Sequence, residues 1–242
     1  MVREQITHHD FEEKVLSEEE LRHLGKLRQE GIKLLQLLRE GGFRNALTHG
    51  SVARGDVSLT SDLDVLVETH SSYNLEFVLG EHYVITERML VQATPNHTPK
   101  AVLSVGAEVE CHVVFPLVPL RTREEDFYKF GGAIGLEGLS KKLFVPGVNK
   151  KLQLVEKVDD RTFLLIAVAG REHVVAQKLR IGVETVEERV RVLSRRASVG
   201  RTGVFLRRFL SPEEQFEMVL RETADSNPAV RRFLQTHAKG WF

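Results

Sequence analysis

Leu21, Leu24 and Leu27, then Leu34, Leu35 and Leu38, recur at helical spacing and predict one long amphipathic helix. Ser17-Glu18-Glu19-Glu20 opens it as a capping box, and Gly41-Gly42 closes it. Residues 44–48 then read as a short strand running into the glycine turn His49-Gly50-Ser51, and residues 63–67 (LDVLV) as a β-rich run with a polar start. Residues 73–80 read as a short helix. Two longer runs follow as strands, 84–92 and 107–115. In the second, Val109, Cys111, Val113 and Phe115 share one face, and Glu108, Glu110 and His112 share the other.

Residues 141–145 and 150–156 flank Pro146-Gly147-Val148-Asn149, a turn composition that predicts a hairpin. Beyond Gly170 the periodicity turns helical. Residues 173–196 fit a helix-turn-helix-like pair whose usual turn glycine is replaced by Arg180. Phe205, Phe209, Phe216 and Phe233 read as core residues of this part. The pattern predicts an α+β chain: a mixed sheet flanked by helices over residues 1–170, with an inserted hairpin near 141–156, and a mostly helical module over 171–242.

Composition narrows the class. Hydrophobic residues make up 42% and charged residues 28% of 242, which excludes a disordered chain. Lys+Arg and Asp+Glu are 34 each, so the whole molecule is not a generic polyanion binder. The balance hides an asymmetry: residues 171–242 carry 14 basic and 9 acidic side chains, leaving 20 and 25 for residues 1–170. Eight arginines and three glutamates fall between Arg180 and Arg208, a candidate nucleic-acid footprint. The single cysteine, Cys111, forms no disulfide framework, and a reducing cytoplasmic setting is expected. The first 15 residues lack the apolar core of a secretory signal. The longest apolar stretch, FLLIAVAG, is too short for a membrane helix, so no membrane partner is expected. The His8-His9 pair reads as solvated.

The chemistry concentrates in residues 48–68, THGSVARGDVSLTSDLDVLVE. Gly50 permits close backbone approach to a ligand, and the Ser51 hydroxyl suits a phosphate oxygen. Asp62 and Asp64 are two apart at the head of an apolar strand, so both carboxylates face the same way. Two such charges repel unless a cation lies between them, and Mg²⁺ or Mn²⁺ suits an all-oxygen pair. Arg54 stands between turn and acids as a candidate phosphate contact. Glu108 and Glu110 are candidates for a third carboxylate. Three converging carboxylates and a phosphate-binding turn suit two-metal phosphoryl or nucleotidyl transfer.

Gly50-Ser51, Arg54-Gly55 and Ser61-Asp62-Leu63-Asp64, followed by an acid at a later strand, resemble the signature of the DNA polymerase beta-like nucleotidyltransferase superfamily, stand-alone prokaryotic members above all. The resemblance covers roughly residues 20–116. It implies an enzyme that transfers a nucleoside monophosphate from a nucleoside triphosphate, ATP among them, to an acceptor hydroxyl and releases pyrophosphate. It further implies that Asp62, Asp64 and a third acid ligate the metals, and that Gly50-Ser51 hold the triphosphate. The family's third acid is usually Asp; here Glu110 is preferred to Glu108. The acceptor, whether nucleic acid, protein or small molecule, lies outside the signature. The alternative is a nucleic-acid-binding regulator, or an antitoxin-like protein, built on such a domain.

Overall fold

The computed structural model describes residues 11–69, 71–106, 108–200 and 203–238, without the side chains of residues 196, 197 and 199. The His8-His9 pair and Ala107 lie outside the described residues. In chain order the elements are β1 (Phe11–Val15), α1 (Glu18–Glu40), β2 (Leu47–His49), α2 (Ser51–Arg54), β3 (Leu63–Leu66), α3 (Ser72–Gly80), β4 (Val84–Gln92), β5 (Lys100–Gly106), β6 (Cys111–Pro116) and α4 (Thr122–Gly131). There follow β7 (Ala133–Gly135), α5 (Leu136–Ser140), β8 (Gly147–Val148), β9 (Gln153–Lys157), β10 (Thr162–Ala167), α6 (Glu172–Leu179), α7 (Val183–Val199), β11 (Leu206–Phe209), α8 (Phe216–Ser226) and α9 (Pro228–His237). The chain is α+β, with two sheets flanked by helices: β11-β4-β5-β6-β3-β2-β7 and β1-β10-β9-β8. No described helix is long and apolar enough to cross a membrane.

The expected capping box starts α1: Ser17 Oγ accepts the Glu20 N–H at 3.2 Å and a Glu20 carboxylate oxygen accepts the Ser17 N–H at 2.9 Å. Gly41 ends the helix. Leu24, Leu27, Leu34, Leu35 and Leu38 are buried, at about 1.5–3 kcal/mol each. They share a core with Leu63 and Val65 of β3, Cys111, Val113 and Phe115 of β6, and Phe216 and Phe233 of α8 and α9. This is one face of the large sheet. Because strand side chains alternate, the opposite face carries Asp64, His112 and Ser104, which are half-buried.

Several expectations shift. The strand expected at 44–48 is β2, Leu47–His49, because residues 44 and 45 turn first. The strand expected over 107–115 begins only at Cys111. Residues 108–110 belong to the connection from β5, so Glu108 and Glu110 are not paired strand residues. The hairpin near 141–156 exists as β8 against β9, but its turn is residues 149–152 and residues 141–145 are not a strand. The helix pair of residues 173–196 is α6 and α7, and Arg180 takes the left-handed turn conformation at φ 54° and ψ 50°.

Residues beyond 170 do not stand apart. β11 extends the large sheet along β4, and α8 and α9 complete its core. A second core joins Phe130, Val148, Leu154 and Val168 to Val175, Ala176, Leu179 and Val186 of α6 and α7. Phe216 and Phe233 are buried as expected, but Phe205 and Phe209 are 37% and 51% exposed. Phe209 sits on the outward side of β11, and Phe205 immediately precedes that strand.

Candidate active site

β2 and β3 are antiparallel, with His49 opposite Asp64. The glycine turn that ends β2 therefore lies beside the acids that begin β3. Gly50 has φ 77° and ψ −145°, a conformation open to glycine alone, and its N–H donates to the Gly132 carbonyl at 2.9 Å. A β-carbon there would meet nothing within 4 Å, so the face of Gly50 is open space. Ser51 starts α2, whose first N–H groups have no intrahelical acceptor. The loop from Asp56 to Asp62 is tied down. Lys14 Nζ donates to the carbonyls of Asp56 and Val57, Ser61 Oγ accepts the Ser58 N–H, and His23 Nε2 meets the Ser61 carbonyl at 2.8 Å.

Asp64 is pushed from 3.8 up to about 6 by burial, with the Asp62 charge adding to the shift and His112 and Lys150 opposing it. On the parallel neighbour β6, His112 stands opposite Asp64. Its Nε2 lies 3.8 Å from Asp62 Oδ2 and 3.4 Å from Glu110 Oε1, and its Nδ1 lies 3.2 Å from Ser104 Oγ. Glu110 is anchored at its backbone, where its carbonyl accepts the Leu63 N–H at 2.9 Å, but its side chain is 76% exposed and turned to His112. Glu108 is exposed. The structure therefore brings together Asp62, Asp64 and His112 beside Gly50-Ser51, with Glu110 at the rim.

Chemically, Asp62 and Asp64 fit a divalent cation: two carboxylates on one strand face, one of them held above its ordinary pKa by burial and by the other. Among the described residues, no three His, Cys, Asp or Glu side chains converge closely enough to hold a metal ion by themselves. Glu110, the third carboxylate expected from the sequence, lies at the rim of the pair with its side chain against His112. A cation on the pair would complete its shell with phosphate and water oxygens, as Mg²⁺ commonly does.

Arg54 is also placed differently from expectation. It is 7% exposed, and Nε and one terminal nitrogen grip Asp56 at 2.9 and 3.2 Å, while the other donates to the Gly131 carbonyl at 2.6 Å. It braces the loop from inside, its guanidinium nitrogens engaged by Asp56 and the Gly131 carbonyl. Arg54→Ala is expected to cost about 3 kcal/mol by stranding the buried Asp56, and Arg54→Lys to recover little of it because the two-pronged grip is lost. Urea denaturation of both variants checks this; parental stability in Arg54→Ala would refute the brace.

The sequence pattern gave no weight to His49, Lys100 and Tyr128. The Tyr128 ring meets His49 edge-on at 5.0 Å, and its hydroxyl accepts from Lys100 Nζ at 2.8 Å. Burial lowers Lys100 to about 8; burial first, then Lys100 and Arg54, lower His49 to about 4. His49 Nε2 is buried without a hydrogen-bond partner.

No family model matches the chain, and no curated protein matches it. Among solved structures it is similar to a cytoplasmic RNA terminal U-transferase, at 18% identity and a TM-score of 0.28. The match covers 42% of this chain and 31% of that one, so the chain spans less than a third of that protein's length.

Proposed function

We propose that the protein is a metal-dependent nucleotidyltransferase, moving a nucleoside monophosphate from a nucleoside triphosphate to an acceptor hydroxyl with release of pyrophosphate. The observation that carries this reading is the antiparallel pairing of β2 with β3, which sets the open Gly50-Ser51 turn beside Asp62 and Asp64. In this reading Asp62 and Asp64 hold Mg²⁺ or Mn²⁺. A cation held there would neutralise triphosphate charge and lower the pKa of the attacking hydroxyl. Gly50 lets the triphosphate approach the backbone, Ser51 donates its hydroxyl to a phosphate oxygen, and Glu110 orients the acceptor. Residues 1–170 carry the chemistry, and residues 171–242 supply acceptor-facing surface.

Pyrophosphate release with each nucleoside triphosphate, in Mg²⁺ and in Mn²⁺, tests the proposal. Glu110→Gln is expected to lower kcat by about ten- to a hundred-fold with little change in triphosphate affinity, the mark of an interaction made in the transition state. Glu108→Gln should leave both unchanged. Mild effects at both would remove this connection from the chemistry, and no release with any triphosphate would remove the transferase.

A further inference from the structure

The face of the large sheet that carries Asp64 continues outward across β6, β5, β4 and β11, and its cross-strand pairs sort by chemistry. One row is polar: Asp64, His112, Ser104, Glu87. The next is apolar: Val114, Val102, Met89, Phe209. The third holds two cations: Lys100, Val91, Arg207. Successive rows lie about 6.5–7 Å apart along the strands. At the outer end Phe205, Arg207 and Phe209 alternate onto this face, since the Phe205 N–H continues the ladder to the Ala93 carbonyl at 3.2 Å. The Arg207 guanidinium lies 4.9 Å from the Phe209 ring centre, its Nε approaches the Met89 sulfur at 3.2 Å, and no described carboxylate pairs with it.

We propose that this aromatic and arginine platform on β11 binds a single-stranded nucleic acid, the acceptor whose end reaches the acid pair. The proposal rests on the transferase reading for its direction, and on the surface for the binding itself. A half-exposed aromatic ring stacked with a guanidinium that no described carboxylate neutralises suits an unstacked base and its phosphate. The apolar row gives the bases a floor, and the cationic row runs parallel to it for the backbone. β11 lies four strand spacings from Asp64, about 19 Å, on the same face. α7, which precedes β11 in the chain, carries the exposed Arg191 and Arg195. Both phenylalanines and Arg207 are thus placed where a packed core residue would not be.

The test is fluorescence anisotropy with labelled 15-nucleotide RNA and DNA single strands and a blunt duplex, without nucleoside triphosphate and with a chelator present. Single strands should bind more tightly than the duplex, with the RNA and DNA arms identifying the preferred sugar. Phe209→Ala should weaken binding by about ten-fold, as loss of one stacking partner does. Phe209→Leu keeps the apolar contact with Met89 and should lose the same binding. Arg207→Ala should weaken binding and flatten its salt dependence. Phe77→Ala, an exposed aromatic change on α3, should bind like the parent. Parental affinity in both Phe209 variants, equal affinity for duplex, or a dimer that dissociates in Phe209→Ala would overturn the platform. Binding intact with no transfer under any condition would sink the transferase reading and leave the platform standing. Transfer to a protein or small molecule without strand binding would do the reverse.

Discussion

The Asp62→Asn, Asp64→Asn double variant is expected to bind no divalent cation and release no pyrophosphate, yet to melt above the metal-free parent at pH 7. In the unfolded chain Asp64 ionises near its ordinary value of 3.8; in the folded chain burial and the Asp62 charge hold it up to about 6. Folding therefore favours the protonated carboxyl. The benefit is complete below about pH 4, shrinks as pH rises, and is gone above the folded value, where the ionised pair is strained. At about 1.4 kcal/mol for each tenfold change in proton affinity, the strain is on the order of 2–3 kcal/mol. The variant's advantage should appear at pH 7 and vanish at pH 3.5. Adding Mn²⁺ should stabilise the parent and leave the variant where it was. Calorimetric melting at both pH values, with and without Mn²⁺, measures all of this. Parental Mn²⁺ affinity in the double variant would remove the pair as the cation site.

Gly55→Val is expected to cost on the order of 5 kcal/mol and leave little folded protein at 37 °C. Gly55 has φ 101°, a left-handed backbone that a β-branched residue resists. A β-carbon there would lie 2.6 Å from the Phe144 ring and 2.7 Å from Phe163, and Phe163 is fully buried. Neither ring can retreat cheaply, because Phe144 also lies beneath the Arg28 guanidinium at 4.2 Å. The second glycine of the motif thus serves the packing of the loop, whereas the first, Gly50, faces open space. A circular-dichroism melt that overlays the parent would refute the clash.

Much of the frame was legible because it is local. Ser17 and Glu20 sit four positions inclusive apart, and the leucines of α1 repeat every three to four residues. Asp62 and Asp64 stand out because they flank the first residue of an apolar strand. What stayed hidden depends on distant pairing. Val109 continues the alternation of β6 backwards, so the pattern ran a strand through a turn and gave Glu108 and Glu110 paired strand positions they do not have. β5 was passed over, although its partner β6 was visible. The inward grip of Arg54 needs Gly131, 77 residues away. Phe205 and Phe209 look like core in sequence, since which face of β11 is covered depends on its pairing with β4.

The pairing of β3 with β6 is the one parallel contact in the large sheet among the described residues, joining Leu63 to Cys111. β4, β5 and β6 form a meander that closes through short connections, while β3 must wait for the chain to travel out and return. Loop-closure entropy makes the meander the cheaper nucleus and the docking of β3 a later event. The acidic centre is therefore assembled after its scaffold: a nascent chain carries the meander before Asp62 and Asp64 reach their folded places.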